Sequence, residues 1–277
     1  MSSDPVILYL HIPKTGGTTL NTCIYDQWSA DEDYRAEDGW LRSGIYYYPI
    51  GFLKDPNASV PSNIARALGR EDIRAVLGHF CFGVHQFVKR PWTYITLLRN
   101  PVDRVLSLYY HLKTHEGLVV SIDDFVTNPP YREVDNDQTR RISGIEPEIG
   151  ECSSFMLKKA KENLRKHFSV VGVTERFDEA LILSKRAFGW SSVPRYFPQF
   201  VNKDRSSRAS LSQKIIDAVI ERNELDLQLY KFARDMLEEA TSSQNPSFRD
   251  ELESFRSSNA KYIAKWESNL KRFEKSV

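Results

Sequence analysis

Three groups of residues in this 277-residue chain have the types and spacing to do chemistry. The first is Lys14-Thr15-Gly16-Gly17-Thr18-Thr19, one cation, two adjacent glycines and three hydroxyls in a row. Such a loop suits a phosphate. The glycines let the backbone curl closely around an anion, a following helix start offers N–H groups without intrahelical partners, and Lys and Thr add donors. The lysine precedes the glycine pair instead of closing a GxxxxGK frame, so the loop is not a Walker A sequence. The second group is Arg99 with Ser107, eight residues later and about two helical turns on. Arg99 presents a planar fork to an anion and Ser107 a hydroxyl. Singly, an Arg at a sheet edge and a Ser in a helix are ordinary structural residues. Beside a separate phosphate loop, they imply a ligand with phosphates at both ends. The third is His79, whose imidazole titrates near neutrality and so suits taking a proton from a hydroxyl. A lone histidine is more often a buried, satisfied group, but His79 falls between the two anion motifs in the chain. His85 is the reserve candidate. His11 precedes the phosphate loop and is read as orienting it, and His111 and His115 as surface or supporting groups.

The elements that must position these residues follow from the apolar pattern. Val6–Leu10 is a short apolar run that reads as a buried strand, and the pattern from Leu20 suits a helix. Ala75–Phe80 and Thr93–Leu98 are further strands, and Val170–Val173 another. Pro101 belongs in the first turn of a helix over Val102–Leu112, where its missing N–H is harmless. Helices are expected over Asn63–Leu68, Ile122–Asn128, Ser153–His167 and Phe177 to about Phe188, a helix pair over Ser212–Glu239, and a charged helix over Phe248–Phe273. Strands alternating with helices predict an α/β fold, P-loop-like and three-layered, with a central parallel sheet flanked by helices. In such a sheet ligands sit at the carboxyl ends of the strands, where Lys14–Thr19, His79 and Arg99 all fall. Glu175 and Arg176 also follow a strand and are expected to serve mainly in a structural ion pair or in capping.

No linker divides the chain, so one domain over residues 1–240 is expected, with a C-terminal helical extension at 241–277. Residues 31–62, rich in aromatics, Gly and Pro, read as an insertion with a short strand around Ile45–Tyr48. It either lines a substrate site or decorates the surface. In the extension, Phe248, Leu252, Phe255, Tyr262, Trp266, Leu270 and Phe273 fall near helical spacing, which packing on the parent domain or a homodimer contact would each explain. With 38 Lys and Arg against 37 Asp and Glu the formal charge is +1, which gives no general pull toward nucleic acid or an anionic membrane. Three scattered cysteines argue against a disulfide framework and fit a reducing compartment, although one pair could form. No secretory signal or apolar run of about 20 residues is evident, so a cytoplasmic protein without a membrane span is expected. Neither HExxH nor a carboxylate cluster at ligand spacing is found, and no metal is expected.

These residues resemble a known family. HIPKTGG with its following threonines is similar to the 5′-phosphosulfate loop of sulfotransferases that use 3′-phosphoadenylyl sulfate (PAPS). LLRNPVDRVLSLYYH is similar to their 3′-phosphate motif. The wording is nearest to the carbohydrate branch, typified by the heparan sulfate 2-O- and 6-O-sulfotransferases, and GHFCFG and VVGVTERFDEALILSKR also resemble that branch. The likeness covers about Ile7–Phe188 in patches and is weak over 31–62 and beyond Leu211. The resemblance implies that Lys14 grips the 5′-phosphate and the bridging oxygen, with Thr15, Gly16, Gly17, Thr18 and Thr19 donating to the same phosphate. It implies Arg99 and Ser107 at the 3′-phosphate and His79 as base. In Lys203–Arg208, Arg205 and Arg208 match a basic segment that closes over the donor; a solvated basic turn is the plainer reading. The product nucleotide would be 3′,5′-ADP, and the acceptor a hydroxyl on a glycan, glycolipid or small metabolite. Two other readings compete. A small-molecule or nucleotide kinase with a variant loop would need the missing GxxxxGK[ST] frame and a Mg²⁺ carboxylate. A non-catalytic nucleotide-binding module would not need both Lys14 and His79.

Overall fold

The structure, a computed structural model, describes residues 4–28, 33–36, 39–42, 44–48, 66, 68–197 and 211–274. Its strands are β1 (Val6–Leu10), β2 (Asp33–Ala36), β3 (Gly39–Arg42), β4 (Ile45–Tyr48), β5 (Ala75–Gly78), β6 (Trp92–Leu98) and β7 (Phe168–Val173). They form one sheet in the order β2-β3-β4-β5-β1-β6-β7. The five strands from β4 to β7 are parallel, and β2 and β3 extend the β4 edge antiparallel. The chain therefore has an α/β fold with a central parallel sheet. β1 is apolar along its whole length because it lies between β5 and β6 with every residue buried.

Helices flank the sheet: α1 (Gly17–Tyr25), α2 (Pro101–His115), α3 (Ile122–Thr127), α4 (Asp137–Ser143), α5 (Ser154–His167), α6 (Phe177–Ala187), α7 (Gln213–Arg222), α8 (Glu224–Ser242) and α9 (Pro246–Glu274). Pro101 opens α2, and the Asn100 side chain accepts from the Val102 N–H at 3.0 Å. The main core joins the strands to apolar residues of α1, α5, α6, α8 and the first half of α9. A second cluster joins α2, α3 and Val219 of α7. Each fully buried Leu or Ile in these clusters contributes about 1.5–3 kcal/mol. Phe248, Leu252 and Phe255 of α9 belong to the main core, so the first part of that apolar stripe packs on its own domain. The side chains of Leu270 and Phe273 lie outside the described residues, as does nearly all of the expected Asn63–Leu68 helix.

Two features differ from the sequence expectation. Asp33–Ala36 and Gly39–Arg42 form a two-stranded antiparallel edge, where only the strand at Ile45–Tyr48 is evident from the pattern. Strands of four residues with charged positions, DYRA and GWLR, are too short to show a period of two. Beyond the sheet, the charged run from Glu133 to Ser143, to which the pattern assigns no element, is almost entirely buried. It is held by reciprocal capping. Asp226 of α8 accepts from the N–H groups of Gln138 (3.1 Å) and Thr139 (2.7 Å) at the start of α4. Asn136 in turn accepts from Leu225 (3.0 Å) and Asp226 (3.1 Å) at the start of α8, with its backbone left-handed at φ 48°. Arg104 of α2, fully buried, donates to Asp137 at 3.3 Å and to the Glu133 carbonyl. Removing one partner of such a pair leaves an uncompensated buried charge, at a cost of about 3–5 kcal/mol.

Candidate active site

Strand register assembles the site. Leu10 of β1 pairs with Gly78 of β5 and with Thr96 of β6, so the residues that leave β1 and β5 emerge side by side at the carboxyl edge. Those residues are His11 and His79. The His11 carbonyl accepts from Nδ1 of His79 at 2.8 Å, and the two rings approach to 4.3 Å between centroids. A carbonyl can only accept, so Nδ1 of His79 carries the hydrogen. In the neutral ring Nε2 then holds the lone pair. Burial, above all, lowers the His79 pKa to about 4, and the Arg141 and Lys14 charges add to this. The imidazole is therefore uncharged at neutral pH. His11 is buried, and its pKa is held well below the ordinary value by burial and then by His79, Arg141 and Lys14.

The loop after β1 turns through Lys14 at φ 69° and Gly16 at φ 86° into α1. A left-handed backbone at a lysine is uncommon and places the carbonyl and side chain where a right-handed turn would not. Gly17 is required by space: a Cβ there would fall 2.0 Å from the His11 ring. Buried Thr15 donates to the Ile12 carbonyl at 2.8 Å, and its own carbonyl accepts from Thr174 at 2.7 Å, which ties the loop to the end of β7. Gly16 supplies no side-chain cap to α1, and the first turn of α1 contains no acid. Helix N–H groups without a carboxylate in the first turn suit a phosphate.

Arg99, at the end of β6, donates from Nη1 to the Lys14 carbonyl at 2.9 Å. The two anion motifs, 85 residues apart, thus meet. Gln138 brackets the Arg99 backbone, accepting from its N–H at 2.9 Å and donating to its carbonyl at 3.0 Å. Arg141, clamped by Asp137 at 2.9 Å, donates to the His79 carbonyl at 3.3 Å. The buried 133–143 segment thus holds both Arg99 and His79. Sequence reasoning missed it, and the one local signal was the density of polar residues in VDNDQTRR.

Of the other expected site residues, Ser107 is half-buried on α2. His111, one turn further, is also half-buried, and its pKa falls to about 4 through desolvation, then the charges of Lys14 and His115. It is thus close enough to Lys14 to feel its charge, which a plain surface residue would not. His85 is elsewhere. Its Nδ1 lies 3.0 Å from the Tyr94 hydroxyl and its ring 4.2 Å from Trp92, at the start of β6, away from the carboxyl edge. Glu175 accepts from the Asn100 N–H at 3.0 Å, and Arg176 pairs with Glu179 and with Glu238, so both are structural. Arg205 and Arg208 lie outside the described residues. Among the described residues no cluster of His, Cys, Asp or Glu forms a metal site, all three cysteines are free, and no helix is long and apolar enough to cross a membrane.

The family model described as "Sulfotransferase family" matches residues 1–233. The chain is 25% identical over 290 residues to heparan-sulfate 6-O-sulfotransferase 1 of Homo sapiens, covering 86% of this chain and 67% of that protein. It is 26% identical over 284 residues to heparan-sulfate 6-O-sulfotransferase 1-A of Danio rerio, covering 84% of this chain and 65% of that protein. Among solved structures, a sulfotransferase from Alicyclobacillus acidocaldarius aligns with a TM-score of 0.42 and 17% identity, over 90% of this chain and 100% of that one.

Proposed function

We propose a mechanism from a fixed premise: this chain belongs to the sulfotransferase family, and it is a PAPS-dependent sulfotransferase. The reading is that it moves the sulfuryl group of PAPS to a carbohydrate hydroxyl by in-line displacement. The acceptor hydroxyl gives its proton to Nε2 of His79 as its oxygen attacks sulfur. The bond from sulfur to the bridging oxygen breaks, and 3′,5′-ADP leaves. Lys14 neutralises the charge that builds on that bridging oxygen, which is electrostatic stabilisation of the transition state. Thr15, Gly16, Gly17, Thr18 and Thr19 hold the 5′-phosphate, and Arg99 with Ser107 the 3′-phosphate. The activated donor needs no metal in this scheme.

One observation carries the reading. The strand that ends in the Lys14 loop also fixes the tautomer of His79, through the His11 carbonyl at 2.8 Å. A base with its lone pair on Nε2, uncharged at neutral pH, sits on the same edge as the cationic loop. The kinase alternative would call for a GxxxxGK[ST] frame, which the Lys14 loop lacks. Calorimetric titration with 3′,5′-ADP, 5′-AMP and ATP tests the donor assignment. The expected order is 3′,5′-ADP tightest, and a preference for ATP would overturn it. A screen of hydroxyl acceptors with labelled PAPS would then identify the acceptor.

A further inference from the structure

The face of α9 that enters the core changes character half-way along. Phe248, Leu252 and Phe255 are buried, and buried Asn259 accepts from the Tyr196 N–H at 3.0 Å. The next turns of the same face carry Lys261, Tyr262, Lys265, Trp266 and Asn269, which line a cleft of about 380 Å³ with Arg195 across from them. That is room for about a dozen waters and lies in the range of small-ligand pockets. Its walls contact one another: Phe197 stacks on Trp266 at 4.6 Å with an 8° tilt, and Arg195 sits 6.0 Å over the Tyr262 ring. Trp266 is nevertheless 39% exposed.

The charge is one-sided. Arg195, Lys261 and Lys265 are exposed, none forms an ion pair among the described residues, and no described carboxylate lines the cleft. Two lysines four apart on one helix face repel each other, and a third cation opposite adds to this. An anion in the cleft would relieve that repulsion. Aromatic faces beside cations and an amide suit a ring with an apolar face, hydroxyls and an acidic group.

We propose that this cleft is a saccharide-docking site which binds an acidic sugar, one bearing a carboxylate or sulfate, of the acceptor. The proposal rests on the carbohydrate reading given above. The cleft-forming part of α9 lies beyond residue 233, where the family match ends, so the site is a feature of this chain's extension. It lies near the reaction edge. Glu251 pairs with Lys185 near the end of α6, whereas Arg256 pairs at 3.1 Å with Asp178 in its first turn, just after β7, so α9 runs toward the carboxyl edge before it reaches the cleft. An oligosaccharide held in the cleft can therefore extend toward the Lys14 loop.

The test is calorimetric titration of the full chain with a heparin-derived hexasaccharide and, separately, with neutral maltohexaose, at low and physiological salt. The expected result is binding of the anionic probe alone, weakened by salt. K261E/K265E and W266A should each weaken it about ten-fold or more, whereas K158E/K159E on α5 should leave it within about two-fold. Retained 3′,5′-ADP affinity would show the variants folded. No binding to the unaltered chain, equal binding of maltohexaose, full affinity in K261E/K265E, or an equal loss in K158E/K159E would each overturn the proposal. These titrations need no PAPS. A failed donor assignment would appear as absent 3′,5′-ADP binding to the unaltered chain, a different readout from saccharide binding at the cleft.

Discussion

His79 and His85 are six residues apart, yet the fold makes them chemically different. At the carboxyl edge, His79 meets a main-chain carbonyl, so Nδ1 holds its hydrogen and Nε2 the lone pair. At the start of β6, His85 meets the Tyr94 hydroxyl, which already accepts from the Gly83 and His85 N–H groups. That hydroxyl has its own hydrogen left to give, so Nδ1 of His85 accepts and Nε2 bears the hydrogen. One ring keeps its lone pair on Nε2 within reach of the Lys14 charge, and the other is fixed among Phe82, Trp92 and Tyr94. Residue type therefore says less than the partner of one ring nitrogen.

The comparison can be broken at several points. At the loop, Lys14→Met should lower turnover about 10²–10³-fold, as loss of an electrostatic stabiliser does. Transfer kinetics at saturating donor would measure it, and near-normal turnover would remove Lys14 from the leaving-group role. Next, Gly17→Ala drives a Cβ into the His11 ring and, through it, against His79. Overpacking of this kind costs about 1–3 kcal/mol, read as a lower Tm with turnover reduced as well. An unchanged Tm would show that His11 moves freely.

A subtler difference lies in acid stability. The His79 pKa is about 4 in the folded chain against an ordinary 6.5. Below pH 6.5 the unfolded chain takes up a proton that the folded chain refuses, so stability falls from there to about pH 4. Buried Glu133, pushed up to about 7, acts in the opposite sense, so the variant difference isolates the imidazole. His79→Asn should lose less stability than the unaltered chain between pH 6.5 and 4 in calorimetry, and a parallel fall would contradict the assignment. The smallest effect is expected from His85→Asn, with turnover within about three-fold and a Tm drop from the lost hydrogen bond of about 1 kcal/mol. A large turnover loss there would reverse the comparison.

Much of the reaction edge is legible locally. An apolar run of five, a Lys-Thr-Gly-Gly turn, a Pro at the first position of a helix and a strand followed directly by Arg99 are all signals within a dozen residues. What supports that edge is not. Asn136 and Asp226 cap each other's helices across 90 residues, and Arg141 reaches the His79 carbonyl across 62. No local spacing announces such pairs, and a run of polar residues reads as exposed until its partners are known. Which of the two readings of His111, surface or supporting, applies is hidden for the same reason, since its nearness to Lys14 depends on where that loop comes to rest. The cleft on α9 is half legible: the stripe is plain in the sequence, but its change from core to cationic wall needs Arg195 and Phe197 in place.

The central claim is that His79 takes the acceptor proton. Single-turnover transfer from labelled PAPS to the acceptor chosen by the screen, with His79→Asn and His85→Asn side by side, tests it most directly. The account predicts a loss of about 10²–10⁴-fold for His79→Asn, with 3′,5′-ADP affinity within about two-fold and His85→Asn close to the unaltered chain. Near-normal transfer by His79→Asn, or a loss confined to His85→Asn, would contradict it.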